Sequence, residues 1–253
     1  MSTQIIILAA GKGKRMGTDL PKALVSLGGR PMISYLAEAV VNSGVCLKPI
    51  IVVSSDNQEM IKQTLATNDF VYAIQDSQLG SGHAVSCALN LLDPGVEKII
   101  VLYCDHPFFS ADLIKNLSNL KINSLALVPT VLPDFEDWHR SFFHWGRIIR
   151  ENGKITKIVE FKDASPEEIE VKELNPGVMA FEASWLVKNI KLLNNDNNQG
   201  EYYLTSLVEL AFRTAEDIPS LTVDPREALG VNSPEELALA ENILIKNKLE
   251  KIV

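Results

Sequence analysis

The sequence predicts an α/β fold: a Rossmann-like, mostly parallel sheet with helices on both faces, carrying a small inserted β-rich lobe. Three observations predict it. Short β-branched runs alternate with stretches of helical periodicity through the first half of the chain. These runs are apolar almost throughout, as strands covered on both faces are. A glycine-rich loop follows the first run, where sheets of this kind put their ligands, beyond the carboxyl ends of the strands.

The elements follow in order. Strands are expected at 4–9, 49–54, 70–75, 98–104 and 124–131. Between the first two, Met32, Ile33, Leu36, Ala37, Val40 and Val41 recur at helical spacing, opened by Pro31 and closed by Gly44. Further helices fit 57–66, 83–92 and 111–120. The segment RIIRENGKITKIVEF reads as a hairpin turning at Asn152-Gly153. A strand at 172–182, a helix at 184–193, an Asn-rich loop and a helix at 202–213 come next. The last helix opens with Ser233, Pro234 and Glu236, a capping box with proline in the first turn. No linker, repeat or low-complexity block interrupts the chain, so residues 1–253 read as one domain, with 133–182 as the smaller lobe.

Composition narrows the function. The chain has 253 residues, 46% of them hydrophobic, enough for a sizeable core. No apolar run approaches the length of a membrane span, and the N-terminus lacks the order of a signal peptide; the expectation is a cytoplasmic protein without a membrane partner. Cys46, Cys87 and Cys104 are odd in number and widely spaced, which fits reduced thiols. A net charge of −8 argues against nucleic acid as a partner. The opening loop is nevertheless basic, with Lys12, Lys14, Arg15 and Lys22, and such a patch in an acidic protein fits a small anionic ligand.

Neither Gly11 nor Gly13 starts a Walker A pattern. The dinucleotide fingerprint begins at Gly11 and Gly13 but meets Met16 where its third glycine belongs. The loop's basic residues suit a triphosphate better. Lys12 and Lys14 read equally well as solvated loop charges.

The whole stretch LAAGKGKRMGTDLPKAL resembles the signature of sugar-1-phosphate nucleotidylyltransferases. The resemblance continues through QLGSGHAV, VLYCDHP, GRIIRENGKITKIVEFKDA, ELNPGVMAF, NNQGEYYLTSLVELA and VNSPEELALAE. Their order is that of the uridylyltransferase domain of the bifunctional N-acetylglucosamine-1-phosphate uridylyltransferases. The implied fold is the nucleotide-diphospho-sugar transferase fold. The implied reaction is Mg²⁺-dependent: a sugar 1-phosphate attacks the α-phosphorus of UTP and pyrophosphate leaves, which asks the protein for charge neutralisation and positioning.

By this resemblance Lys22 serves the α-phosphate and Arg15 the leaving pyrophosphate. Asp105 and Asn232 hold Mg²⁺. The backbone of Leu8, Ala9, Ala10 and Gly11 follows the nucleoside, with Gln75, Gly80 and Ser81 on the uracil edge. Tyr103, Gly146, Glu160 and Asn175 form the sugar pocket, with the EYYLT segment alongside. Read without the resemblance, Asp105 is also a turn or cap former after an apolar strand, and Gln75, Glu160 and Asn175 are polar strand-end positions.

Several positions depart from the family. A longer aromatic segment, PDFEDWHRSFFHWGR, replaces a short acidic loop before Gly146; it reads as a lid over the sugar or a protein contact, with His139 and His144 as weaker metal candidates. Ser81 stands for threonine, Cys104 for glycine, and Pro176 is unusual between Asn175 and Gly177. No hexapeptide repeat follows the last helix, so no acetyltransferase activity is expected, and the oligomeric state stays open. Three readings remain: a UTP-dependent enzyme making a UDP-N-acetylhexosamine, a nucleotidylyltransferase for another base or sugar phosphate, and a UDP-sugar sensor.

Overall fold

The computed structural model describes residues 2–11, 13–214 and 217–250, with the side chains of Lys14 and of 247–250 left undescribed. Lys12 lies outside the described residues, as does the Lys14 side chain, so their readings as loop charges rest on sequence alone.

The strands, in chain order, are β1 (Thr3–Leu8), β2 (Ser26–Leu27), β3 (Arg30–Pro31), β4 (Ile50–Val53), β5 (Val71–Ile74), β6 (Lys98–Tyr103), β7 (Leu125–Leu127), β8 (Thr130–Val131), β9 (Gly146–Glu151), β10 (Lys154–Val159), β11 (Glu173–Asn175) and β12 (Met179–Glu182). The helices are α1 (Met32–Ser43), α2 (Gln58–Thr64), α3 (Ser81–Ala88), α4 (Ala111–Asn119), α5 (Pro166–Ile169), α6 (Ala183–Asn189), α7 (Ser206–Arg213), α8 (Pro225–Ala228) and α9 (Pro234–Glu250).

The central sheet has the order β5-β4-β1-β6-β12-β7. Its β5, β4, β1 and β6 are mutually parallel, and β12 runs antiparallel between β6 and β7. Alternation along each strand fills two cores. Ile5, Ile7, Ile100 and Leu102 pack with α1, α2 and α4 on one face. Ile6, Leu8, Ile99 and Val101 pack with α3, α6 and α7 on the other. Each such fully buried aliphatic side chain contributes roughly 1.5–3 kcal/mol. The α/β class expected from the apolar runs is therefore the observed one, and it sets the carboxyl ends of β1, β5 and β6 along one rim.

A second sheet, β10-β9-β11-β8, stands over that rim. Its hairpin turns at Asn152 (φ 50°) and Gly153 (φ 79°), the paired left-handed conformations of a type I′ turn.

Two expected strands are each divided. The run 124–131 supplies β7 to the central sheet and β8 to the small one; the run 172–182 supplies β11 to the small sheet and β12 to the central one. The breaks fall at Val128-Pro129 and Pro176-Gly177, because proline has no N–H to give a ladder. The small sheet consequently takes in Thr130–Val131 and leaves out Met179–Glu182, a different span from 133–182. The helix expected at 202–213 begins at Ser206, since Tyr202 instead pairs its backbone with Leu79 (2.8 Å) and Gly82 (2.8 Å). No helix among the described residues is long and apolar enough to cross a membrane.

Candidate active site

A cleft of about 470 Å³ opens between the rim of the central sheet and the small sheet. It is lined by Leu8, Ala10, Gly11, Arg15, Lys22, Gln75, Gly80, Ser81, Tyr103, Asp105, Gly146, Glu160, Asn175 and Asn232. The chain thus brings together every expected site residue but one. Ala9 does not line the cleft: it is 1% exposed, its N–H donates to Val52 O (2.8 Å) and its carbonyl accepts from Asn57 Nδ2 (2.9 Å).

The cluster around Lys22 is assembled from three distant segments. The glycine loop closes over Lys22: Gly13 has φ +60°, and a Cβ there would lie 2.6 Å from Lys22 Cβ. Only glycine meets both demands. The Lys22 ammonium donates to Asp105 Oδ2 and, at 2.5 Å, to Asn232 Oδ1, which also accepts from Arg15 at 3.2 Å. The two acceptors are held together by the Val231 N–H, which donates to the Asp105 carbonyl at 2.8 Å. Burial alone would raise the Asp105 carboxyl; the Lys22 ammonium, helped by His106, outweighs it and holds the group below the ordinary carboxylate range.

Two residues of this cluster were not singled out from sequence. Glu236 was legible only as a cap. Its N–H does donate to Ser233 Oγ (3.2 Å), but its carboxylate accepts from the Asn232 N–H (2.5 Å) and lies in the cleft, where burial raises its pKa against the pull of Asn232, Arg15 and Lys22. His106, next to Asp105, is 6% exposed. Its Nδ1 bonds Ala228 O at 2.7 Å, its ring stacks on Phe109 (5.0 Å) and meets Trp145 edge-on (5.4 Å), and burial lowers its pKa although Asp105 opposes this. Position beside an expected ligand was the one signal that could have marked it.

Asp105 and Asn232 turn a carboxylate and an amide oxygen toward one point, and a cation, the Lys22 ammonium, already sits there. Two hard oxygens with room for phosphate and water fit a Mg²⁺ ion. No group of three or more His, Cys, Asp or Glu that could hold a metal occurs among the described residues. The weaker candidates part company: His139 Nδ1 pairs with Asp134 Oδ1 (2.7 Å), whereas His144 lines the cleft.

Elsewhere in the cleft the polar groups are fixed by single bonds and keep atoms to spare. Thr205 Oγ1 donates to Glu160 Oε1 (2.8 Å), and the Gly177 N–H donates to Asn175 Oδ1 (3.1 Å). Glu160 Oε2 and Asn175 Nδ2 have no protein partner among the described residues. Burial raises the Glu160 carboxyl, Thr205 opposing and Asp163 and Glu201 adding to it. Tyr103 is likewise raised by burial, with Ser81 as its hydrogen-bond partner. The Ser81 hydroxyl also accepts from the Leu204 N–H (3.0 Å), and burial pushes the neighbouring Cys104 thiol up to about 12.

The aromatic segment is packed inward. Arg147 is fully buried, its guanidinium 5.0 Å from the Phe135 ring and 5.7 Å from those of Phe143 and Phe161. It donates to the carbonyls of Trp145, Phe143 (2.8 Å) and Ile169 (3.0 Å). Ser141, His144 and Trp145 are thereby set into the cleft wall.

A parallel sheet whose rim joins the Lys22 cluster to a polar pocket under a second sheet defines a nucleotidyltransferase of the nucleotide-diphospho-sugar transferase fold. The model of the MobA-like NTP transferase domain matches residues 5–148, and the chain belongs to that family. It is 40% identical over 253 residues to the bifunctional protein GlmU of Burkholderia orbicola (strain AU 1054), a match covering 98% of this chain and 53% of that protein. A second relative, the bifunctional protein GlmU of Chromobacterium violaceum, is 38% identical over 256 residues, covering 100% of this chain and 54% of that protein. The chain spans about half the length of these relatives. Among solved structures, a putative glucose-1-phosphate thymidylyltransferase from Bacillus anthracis superposes with a TM-score of 0.74 at 17% identity, over 95% of this chain and 94% of that one. The inositol-1-phosphate CTP transferase from T. maritima gives 0.69 at 16% identity, over 92% and 90%. These two likenesses are of fold.

Proposed function

We propose that the chain joins UTP to N-acetylglucosamine 1-phosphate, giving UDP-N-acetylglucosamine and pyrophosphate, with Mg²⁺ as the metal. The observation that carries this reading is that one cleft is lined by three sets of polar groups: Gln75 with the Gly80-Ser81 turn, Lys22 with Asp105 and Asn232, and Glu160 with Asn175. Those three sets suit a base, a triphosphate and an acceptor sugar. The relatives named GlmU support the choice of product.

Leu8, Ala10 and Gly11 run beside the nucleoside, and Gln75 with the Gly80-Ser81 turn takes the uracil edge. Lys22 leaves Asp105 and Asn232 for the α-phosphate, drawing the acceptor phosphate into line, and Arg15 neutralises the departing pyrophosphate. Mg²⁺, when bound through Asp105 and Asn232, supplies further charge neutralisation on the phosphates. The acceptor oxygen is already anionic, so no side chain need remove a proton. Residues of the lobe 133–182 hold the sugar: Asn175 Nδ2 donates to a carbonyl of the N-acetyl group, and Glu160 Oε2 accepts from a hydroxyl, with Tyr103 and Gly146 forming the floor. On this reading the reaction is cytoplasmic.

A second reading, another acceptor sugar, is favoured by Ser141, His144 and Trp145, which the aromatic segment puts into the wall. One assay separates the two: Mg²⁺-dependent pyrophosphate release from UTP with N-acetylglucosamine-, N-acetylgalactosamine- and glucose 1-phosphate. The highest kcat/KM is expected with the first. A clear preference for another would move the novelty to residues 133–145, and no release with any, despite measurable UDP-sugar binding, would leave a sensor.

A further inference from the structure

The orientation of the Gln75 side chain can be read from its neighbours. Gln75 follows β5 directly and is 4% exposed. Its Nε2 lies 3.1 Å from Gly80 O and 3.0 Å from His83 Nδ1. A carbonyl oxygen only accepts, so the amide nitrogen, and not the amide oxygen, must face Gly80. Its second hydrogen then goes to His83 Nδ1, which must be the bare nitrogen of a neutral ring. The ring proton sits on Nε2, 4.0 Å from Cys87 Sγ. Position 80 admits no side chain in this arrangement: its φ is +104°, and a Cβ would lie 2.7 Å from Tyr202 O.

Both N–H groups of Gln75 are therefore engaged inside the protein. Its Oε1 has no protein donor among the described residues, and the side chain lines the cleft. Toward a ligand, Gln75 is an acceptor only.

Pyrimidines differ at that contact. Uracil carries a donor at N3, an imide N–H, while cytosine carries a bare acceptor there. We propose that His83 is a positioning residue for base choice: by accepting the second amide hydrogen it locks Gln75 as an acceptor, so that the site takes an imide base and rejects cytosine. The inference rests on the reading that the base lies against Gln75. Without His83, only the bond to Gly80 opposes a flip of the amide, and the flipped side chain presents an N–H to the cytosine ring nitrogen. A site that leaves a buried polar group unpaired with the wrong ligand discriminates far better than one that relies on shape.

The test compares kcat/KM for UTP and CTP with a single sugar 1-phosphate. The wild type is expected to favour UTP. His83→Phe, which fills the space but accepts nothing, should lower the UTP:CTP ratio by about tenfold or more, while His83→Asn, with an oxygen near the Nδ1 position, should hold it within about threefold. Equal losses on both nucleotides in His83→Phe would overturn the proposal and leave the base assignment standing. A wild type indifferent to the base would overturn both. Long-range ¹H–¹⁵N NMR of the intact, ligand-free protein tests the same point without any variant: the Nε2–H tautomer of His83 is expected, and an Nδ1–H or doubly protonated ring would overturn the proposal.

Discussion

The two ends of the cleft solve the burial of polar groups in opposite ways. In the part proposed for the phosphates, Lys22, Asp105 and Asn232 satisfy one another, and the charges cancel within the protein. In the part proposed for the sugar, Glu160 and Asn175 are each held by a single bond and keep an atom without a protein partner among the described residues. The first end must exchange partners to take up a ligand; the second is set before the ligand comes. Desolvated ion pairs are costly to break from one side only, so the charged end should be the less tolerant of substitution.

The largest expected effect tests that difference directly. Asp105→Ala or Lys22→Ala should lower kcat by at least about a hundredfold, on the scale of losing a preorganised electrostatic contact. Near-normal rates at saturating substrates and Mg²⁺ would erase the distinction between the two ends. Next comes the support of the polar wall. Arg147→Met leaves the carbonyls of Trp145, Phe143 and Ile169 without their donor, and should cost about 2–3 kcal/mol in urea unfolding. It should also raise KM for the sugar phosphate and not that for UTP; equal rises would mean the two ends are not separable.

Glu160→Gln sharpens the comparison within the polar end. It should raise the sugar-phosphate KM about tenfold, the effect of one hydrogen bond to a charged acceptor. Its effect on stability has the opposite sign. Burial lifts the folded-state pKa of Glu160 above its unfolded value, so the wild type loses stability as pH rises past about 4.5 and the carboxyl is forced to ionise. The glutamine variant escapes this, and its melting temperature should exceed wild type at pH 7, the gain fading as the pH falls toward about 4.5. A gain that persists in acid would place its origin outside the carboxyl. The smallest effect is that of Ser81→Ala, which removes the acceptor for the Leu204 N–H and should cost about 1 kcal/mol of stability. Turnover should stay within about threefold of wild type, since the turn itself is held by backbone.

How much of this was legible in the sequence differs between its parts. The central sheet was, because strands covered on both faces must be apolar runs, and IIIL, IIVV and KIIVLY leave little room for another reading. The second sheet was legible only at its hairpin, where Asn152-Gly153 marks the turn. Pro129 and Pro176 were visible, but that each turns a strand out of one sheet and into another depends on which strands receive it, and pairing partners are not local information. The same holds for the site. Lys22, Asp105 and Asn232 could be named from motifs, whereas Glu236 looked like a helix cap and His106 like a neighbour. The aromatic segment read as a lid or a protein contact because its anchor, Arg147, is a single charge whose burial among Phe135, Phe143 and Phe161 no spacing rule announces.

The bridge that Lys22 makes between Asp105 and Asn232 has a consequence for the sequence in which ligands arrive. An ammonium already parked between two oxygens repels a bare divalent ion and releases the position only when a polyanion draws it away. The protein should therefore ignore the free ion and respond to the ion and nucleotide as a pair. In a thermal-shift titration, millimolar Mg²⁺ alone should leave the melting temperature unmoved, while Mg²⁺ with UTP should raise it beyond the shift produced by UTP without metal. A substantial shift from Mg²⁺ alone would mean that the ammonium yields its seat freely, and that binding has no obligatory order.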